Sequence, residues 1–473
     1  MSTAWTDKEK IHQWILEKQE AYLKDVSDLV AIPSISVKTG EEKIPYGKPC
    51  LEVLKAALAK GKAHGFEAHN HENRCGTLLW PGKEKTEIGI FGHLDVVPEG
   101  TGWKFPPYEL TVKDGLLIGR GCADNKGSMM AALYALCYLK EHGYEPDHSI
   151  RFYMGCSEET DMDDLTYYTE NYTMPLASIV ADSVFPVCYG EKGILELDVQ
   201  RKVNTQILLD FKAGIASNSV PAEAEAVLNV SLEKVREQIA ENQNIKLEKE
   251  EENRTRICMK GIAAHAAFPE GSESAEVKLA DCLLHSGLLN ESETAAMKTL
   301  TELFGDYYGK GLGVPYEDQV SGKLTHVGGM VSMKDGILYQ NINVRYNILA
   351  DHEQLMERIR KTLEEKEFSV KIEKDSKPVY TDPDSYLVVT LNKIVADYYK
   401  GLTPFVMGGG TYARKLKNAV GFGPGNPNAE KPFGLSRGGG HQSDECIWLQ
   451  ELQTAMEIYI QAIPVLDKGV PQA

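Results

Sequence analysis

No stretch of this sequence is apolar for long enough to span a bilayer, and no two cysteines have the C-x-x-C spacing of a thiolate zinc site. The amino-terminal segment MSTAWTDKEKIHQWILEK lacks the basic start, apolar middle and small-residue cleavage site of a secretory signal. It reads instead as a first helix, and the protein as cytoplasmic. The nine cysteines agree with a reducing compartment: the count is odd, they are scattered, and Cys137, Cys156 and Cys188 sit in apolar runs as small hydrophobes. Basic excess is also missing. The net charge of −18 argues against nucleic acid and against anionic membranes as partners. No short-period tandem repeat is visible. What is present is ordinary globular composition over 473 residues, enough for two or three domains.

The first 190 residues alternate helix-like and strand-like segments. Helical periodicity runs over about 8–31 and stops before Pro33, and LEVLKAALAKGKAHG is a second helix stopped by Gly65. EIGIFGHLDVV, SIRFYMGCS and ASIVAD read as buried strands, and KGSMMAALYALCYLKEHG as a buried helix ended by Gly143. This alternation predicts an α/β domain with a largely parallel sheet. From Gly190 the texture becomes α+β with antiparallel strands, and from about 384 the first pattern returns with two helices, SYLVVTLNKIVADYYK and ECIWLQELQTAMEIYIQAI. The expected organisation is an α/β domain built from 1–190 and 384–473, with an α+β domain inserted over 191–383.

Imidazole and carboxylate groups cluster at the ends of the apolar runs. His93 and Asp95 lie in GHLDVVP, Asp124 in GCAD, Glu158 and Glu159 in CSEET, Asp182 in SIVAD, and His441 after three glycines in SRGGGHQSDE. Such a set suits hydrolytic zinc or manganese sites. His93, Glu158, Glu159 and Asp182 all fall just past the carboxyl ends of expected strands, where open α/β sheets bind ligands. Each residue also has an ordinary reading. His93 and Asp95 could be a surface pair in a loop. Asp124 could be a helix N-cap. Glu158 and Glu159 could belong to a solvated acidic turn, Asp182 could open a turn, and the glycines before His441 could mark a flexible loop. Tyr412 in MGGGTYAR reads as a substrate-loop residue or a plain turn.

Taken in order, GHLDVVP, GCADNKG, SEE, VAD and GGGHQSDE resemble the dinuclear-zinc metallopeptidases that include aminoacylases, carboxypeptidases and carnosine-type dipeptidases. The resemblance covers essentially the whole chain. The long insert with GIASNSVP and GIAAHAAFP is similar to that of the PepV-type bacterial dipeptidases. This resemblance implies two metal ions, zinc by default with manganese or cobalt as alternatives. One would be held by His93, Asp124 and Asp182, the other by Asp124, Glu159 and His441, with Asp124 bridging. Glu158 would be the general base and Asp95 the partner of the other ring nitrogen of His93. The Asp124–Asn125 peptide would be cis. His265 would be a lid histidine acting on the oxyanion, Arg345 would fork onto a substrate carboxylate, and Asn218 would touch bound dipeptide. One departure is that Gly271-Ser272-Glu273-Ser274-Ala275 follows the lid histidine where relatives often have Gly-x-Asn-Ala.

The insert is close to the size of two ordinary satellite domains, which the resemblance reads as a doubled ferredoxin-like lid covering its own active site. The expectation is therefore a monomeric metallodipeptidase acting on short unblocked peptides. An amidohydrolase for N-acyl or N-succinyl amino acids on the same scaffold is the alternative. A non-catalytic binding protein would have lost the base or a ligand, and here all are present.

Overall fold

The computed structural model describes residues 4–434 and 437–469. The chain divides into two compact units. One contains the residues up to Tyr189, Thr381–Phe405 and the residues from Gly410 onward; the other contains Gly190–Tyr380 with Val406–Gly409.

Six strands of the first unit run in the order Glu67–His71, Cys75–Trp80, His148–Gly155, Glu84–His93, Ala177–Val180 and Ala419–Gly421. The last four are mutually parallel, and the first two are antiparallel additions at the edge. Both faces are covered, so the central strands are apolar at consecutive positions instead of alternating. Ile88, Ile90, Phe152, Met154 and Ile179 point into the larger core, where the Lys126–Glu141 and Leu449–Gly469 helices pack. Their neighbours Phe91, Tyr153 and Val180 point the other way, against Leu165, Tyr168 and Tyr412. The helix Lys126–Glu141 is buried at every position from Lys126 to Leu139, which is why its sequence shows little amphipathic pattern. The buried Lys126 ammonium donates to the carbonyls of Leu29 (3.0 Å) and Ile32 (2.7 Å), capping the carboxyl end of the Lys8–Val30 helix.

One sequence expectation changes here. The segment beginning ECIWLQ is not helical from its start. Cys446–Trp448 is a short strand pairing antiparallel with Leu116–Ile118, and the long helix begins at Leu449. The pairing ties the end of the His441 loop to the chain just before Asp124.

The second unit is an eight-stranded sheet in which every pairing is antiparallel. Its order places Ile245–Glu251, Arg254–Lys260, Glu223–Leu228 and Leu208–Ala213 in one half, and Thr325–Lys334, Ile337–Tyr346, Gly193–Lys202 and Ser369–Ser376 in the other. The strands of the two halves pair at Lys212↔Ser332 and Ala213↔Val331. The helices Ala275–His285, Glu291–Phe304 and His352–Glu365 supply Leu279, Leu300 and Ile359 to the core under this sheet. Val406–Gly409 belong to this unit and lie outside the 191–383 span expected for it. The Gly408 carbonyl accepts a hydrogen bond from Arg345 Nη1 (3.0 Å). A Cβ on Gly408 would lie 2.7 Å from that of Ala267, so only glycine allows this close approach.

A buried acid in this unit gives a stability prediction. Glu276 is fully buried, and burial pushes its carboxyl up to about 8. The nearby Gln340 amide pulls the other way but does not overcome burial, and its Nε2 also donates to the carbonyls of Met330 (3.1 Å) and Asn341 (2.9 Å). The unfolded chain therefore ionises Glu276 near pH ~4.3 while the folded protein holds its proton, so stability falls as pH rises from there through about 8. Glu276→Gln removes this loss, since the amide carries no charge at any pH. The variant should be more stable by about 1–3 kcal/mol at pH 8.5 and gain nothing below pH ~4, as read by urea unfolding at both pH values.

Candidate metal and catalytic site

The carboxyl ends of the parallel strands carry the site. His93 is the last residue of its strand, Asp182 lies two residues beyond Val180, and Glu158 and Glu159 lie just beyond Gly155. Asp124 stands in the turn before the Lys126–Glu141 helix. The structure brings these five residues and His441 together within the first unit.

Two imidazole nitrogens act as hubs. His93 Nε2 lies 3.1 Å from Asp124 Oδ1 and 3.5 Å from Asp182 Oδ2. His441 Nε2 lies 3.2 Å from Asp124 Oδ2 and 2.9 Å from Glu159 Oε2. Asp124 thus presents one oxygen to each hub. Donor atoms of His93, Asp124 and Glu159, and of His93, Glu158 and Asp182, are also close enough to share an ion. Asp95, Asp124, Glu158, Glu159 and Asp182 face only two imidazoles, an excess of negative charge that divalent cations would balance. The mixed nitrogen and oxygen donors, several of them buried, fit such ions.

The electrostatics follow from burial and crowding. Burial pushes Glu158 well above the usual carboxylate range, with Asp182, Glu159 and Asp95 adding to it against the pull of His93. Burial also lifts Glu159, with Asp124 adding, to about 7 against the pull of His441. Burial opposes charging of both imidazoles, but the carboxylates win. Asp182 and Asp124 hold His93 well above its ordinary value, and Asp124 and Glu159 lift His441 to about 11. Asp124 in turn is held far below the usual range by His441 and His93 in spite of its burial. Glu158 Oε1 is a buried acceptor without a donor.

Asp95 is the partner of His93 Nδ1, as expected, but chiefly through its main chain. The closest acceptor to His93 Nδ1 is the Asp95 backbone carbonyl at 3.0 Å, with the carboxylate farther off at 3.5 Å. The carbonyl takes the hydrogen bond and directs Nε2 at the other donors. The Asp95 carboxylate instead accepts the backbone N–H groups of Glu158 (3.1 Å) and Glu159 (3.0 Å). Asp95 therefore orients both glutamates.

Tyr412 departs from its expected role. It is fully buried, with its hydroxyl donating to Asp164 Oδ2 at 2.5 Å and its ring edge-on to His93 and Tyr153. The same Asp164 oxygen accepts the N–H groups of Cys156 (2.6 Å) and Ser157 (3.0 Å). Tyr412 thus braces the chain leading to Glu158 and offers substrate no surface.

Two groups escaped the sequence reading. Glu445 is fully buried four residues after His441. Its Oε1 accepts the N–H groups of Gly121 (3.1 Å), Ala123 (3.0 Å) and Asp124 (3.0 Å), and its Oε2 pairs with Arg120 (2.7 Å). Asp444 accepts the N–H groups of Lys104 (2.8 Å) and Phe105 (2.9 Å) and pairs with Arg437. The glycine-rich loop is thereby tied down, although His441 and Asp444 both take left-handed backbone angles, φ +65° and +52°. The signal was available in HQSDE: two acids follow His441 and run straight into a short strand whose middle residue, Ile447, is buried. Asn125 follows Asp124 across a cis peptide, as expected.

In the second unit, Asn218 and His265 lie on adjacent loops. The Asn218 carbonyl accepts the Ala266 N–H, and the Ala264 carbonyl accepts the Val220 N–H, both at 2.8 Å. Thr325, the register partner of Arg345, donates to the Ala266 carbonyl (2.9 Å). Arg345 is buried, with Nε donating to Asn343 Oδ1 (2.8 Å). His265, Asn218 and Arg345 therefore share one region of that unit.

A parallel sheet with imidazole and carboxylate donors at its strand ends, one carboxylate shared between two donor groups and a spare buried glutamate beside them, defines a metal-dependent hydrolase. The family model of peptidase family M20/M25/M40 matches residues 89–464, and the chain belongs to this family of peptide-bond hydrolases. It is 31% identical over 473 residues to YtjP of Bacillus subtilis (strain 168), covering 96% of this chain and 99% of the relative. It is 30% identical over 469 residues to the Beta-Ala-Xaa dipeptidase of Lactobacillus delbrueckii subsp. lactis, covering 95% and 97%. Among solved structures it matches the di-peptidase Dug1p of Saccharomyces cerevisiae with a TM-score of 0.60 at 13% identity, covering 98% of this chain and 99% of that one. Human carnosine dipeptidase 1 matches at 0.58 and 14%, covering 98% and 100%. At those identities the structural matches bear on the fold alone. Among the described residues, no helix is long and apolar enough to cross a membrane.

Proposed function

We propose that this protein is a dipeptidase that uses two divalent cations, zinc by default, to cleave short peptides with a free amino terminus. The observation that carries this reading is the split of Asp124 between the two imidazole hubs, with Glu158 beside them and its Oε1 undonated. His93, Asp124 and Asp182 would hold one ion, and Asp124, Glu159 and His441 the other. Bound there, the cations would acidify a water, polarise the scissile carbonyl and offset the burial and carboxylate crowding that together hold Glu158 protonated. Glu158 takes the proton of the attacking water and delivers it to the nitrogen as the C–N bond breaks. Asp95 holds the Glu158 and Glu159 main chain during this transfer.

The second unit supplies substrate recognition in this reading, as a lid. His265 Nδ1 accepts the Ala267 N–H (3.2 Å), which places the ring proton of the neutral tautomer on Nε2 as a donor for the developing oxyanion. Arg345, oriented by Asn343, would receive the substrate carboxylate, and Asn218 would contact the bound peptide. The edge strands Ile245–Glu251 and Ser369–Ser376 are rich in lysine and glutamate, which discourages strand pairing between copies and supports a monomer, checked by sedimentation. The named specificity of the Lactobacillus relative supports a free amino terminus over an N-acyl group.

The test is turnover of a dipeptide panel against its N-acetylated and N-succinylated counterparts, after EDTA stripping and add-back of Zn or Mn, with wild type and His265→Ala. The expected result is metal-dependent cleavage of the free dipeptides alone, with kcat reduced in His265→Ala. Metal-independent turnover would sink the metal reading, preference for acylated substrates would favour the amidohydrolase, and an unaffected His265→Ala would remove the lid histidine.

A further inference from the structure

Asn125 occupies the N-cap position of the Lys126–Glu141 helix, yet its side chain makes no capping hydrogen bond. An asparagine in that position ordinarily accepts an N–H of the first helical turn. Here the amide is turned away from the helix and into the site. Its Oδ1 accepts the His93 N–H (3.2 Å), and its Nδ2 donates to the Ala181 carbonyl (2.6 Å) and to Asp182 Oδ1 (3.0 Å). The side chain is 1% exposed, so these bonds are made in the interior. Room for it comes from Gly92: a Cβ there would lie 2.5 Å from Asn125 Oδ1 and 2.1 Å from Met129 Sδ.

The consequence is specific to one of the two donor groups. The amide is bonded directly after Asp124, holds the main chain of His93, and occupies one oxygen of Asp182. With Oδ1 engaged, Asp182 presents Oδ2, the oxygen that lies 3.5 Å from His93 Nε2. Among the described residues, no hydrogen bond joins the Asn125 side chain to Glu159 or His441; Asp95 holds the Glu159 N–H, and Asp444 ties down the loop that carries His441.

We propose that Asn125 is the positioning residue of the first metal position alone, fixing through one side-chain amide which Asp182 oxygen is offered and where His93 stands. This rests on the two-ion reading above. Hydrogen bonds that orient ligands in this way typically change metal affinity by about 10–100-fold when removed. Asn125→Asp is nearly isosteric, keeps an acceptor for the His93 N–H, and sets an oxygen against Asp182 Oδ1 and the Ala181 carbonyl in place of the donor.

The test measures Zn2+ affinity by chelator competition in two backgrounds. In His441→Ala only the first position keeps its ligands; in Asp182→Ala only the second does. Asn125→Asp should weaken binding about 10–100-fold in the first background and by less than about threefold in the second. Co2+ substitution gives an optical readout: the visible bands of the first background should shift in the Asn125 variant, and those of the second should not. Circular dichroism and melting confirm folding. If Asn125→Asp does not fold, Asn125→Ala, which removes the donor without adding a repulsive oxygen, takes its place with the same expected partition. Equal losses in both backgrounds, or none in the first, overturn the proposal. Wild-type protein that binds fewer than two ions fails the two-ion reading instead, and that is measured before any variant.

Discussion

Glu158→Gln is expected to lower kcat by about 10²–10⁴-fold while leaving bound metal and KM close to wild type. The exchange keeps the size of the side chain and the backbone N–H that donates to Asp95 Oδ1 at 3.1 Å. It removes only the ability to take and return a proton. Structural damage should be small because Glu158 Oε1 receives no hydrogen bond in the folded protein. Burial, and then the crowding with Asp182, Glu159 and Asp95, raises the acid, and a neutral amide escapes both, so stability should hold or rise. Pre-steady-state turnover of a free dipeptide together with metal content measured on the same sample separates the outcomes. If kcat stays within a few-fold of wild type, Glu158 is not the base. If metal is lost with activity, Glu158 is acting as a ligand, as its proximity to His93 and Asp182 allows.

Much of this site was legible because parallel strands leave a local mark. EIGIFGH and ASIVAD are continuous apolar runs that end on polar residues, and buried parallel strands demand that pattern whatever lies beyond them. His93 and Asp182 could therefore be placed at strand ends before any contact was known. Asp95 meets His93 Nδ1 more closely through its carbonyl than through its carboxylate because the strand ends at His93. Beyond that point the chain turns and gives the Asp95 carboxylate to Glu158 and Glu159, contacts 63 and 64 residues away in sequence. The burial of Tyr412 is hidden from the sequence for a similar reason. Glycine-rich sequence before it suggested an open loop, but Gly155 leaves space across the sheet for its ring and hydroxyl to reach Asp164, 248 residues away. Glu445 and Asn125 show the same limit. A buried polar residue whose partners are main-chain amides far along the chain has no periodicity, and looks like any loop residue until the loops are brought together.

Asp124→Ala should cost both metal ions, where His441→Ala and Asp182→Ala should each cost one. The difference follows from how the oxygens are shared: Oδ1 lies 3.1 Å from His93 Nε2 and Oδ2 lies 3.2 Å from His441 Nε2, so the one carboxylate serves both donor groups. Removing it leaves His93 with Asp182 at 3.5 Å, and His441 with Glu159 at 2.9 Å, in each case two protein donors for an ion that prefers at least three. Activity in Asp124→Ala should fall to the limit of detection. The fold should survive, because the support of this turn comes through the main chain: Glu445 still accepts the N–H groups at Gly121, Ala123 and position 124. Metal analysis after dialysis against buffered Zn2+ reads the result directly, with about two, one and zero ions expected for wild type, either single-position variant and Asp124→Ala. One ion retained in Asp124→Ala would mean that one group binds without the shared oxygen, through Glu158 with His93 and Asp182, and would move Glu158 from the role of base to that of ligand.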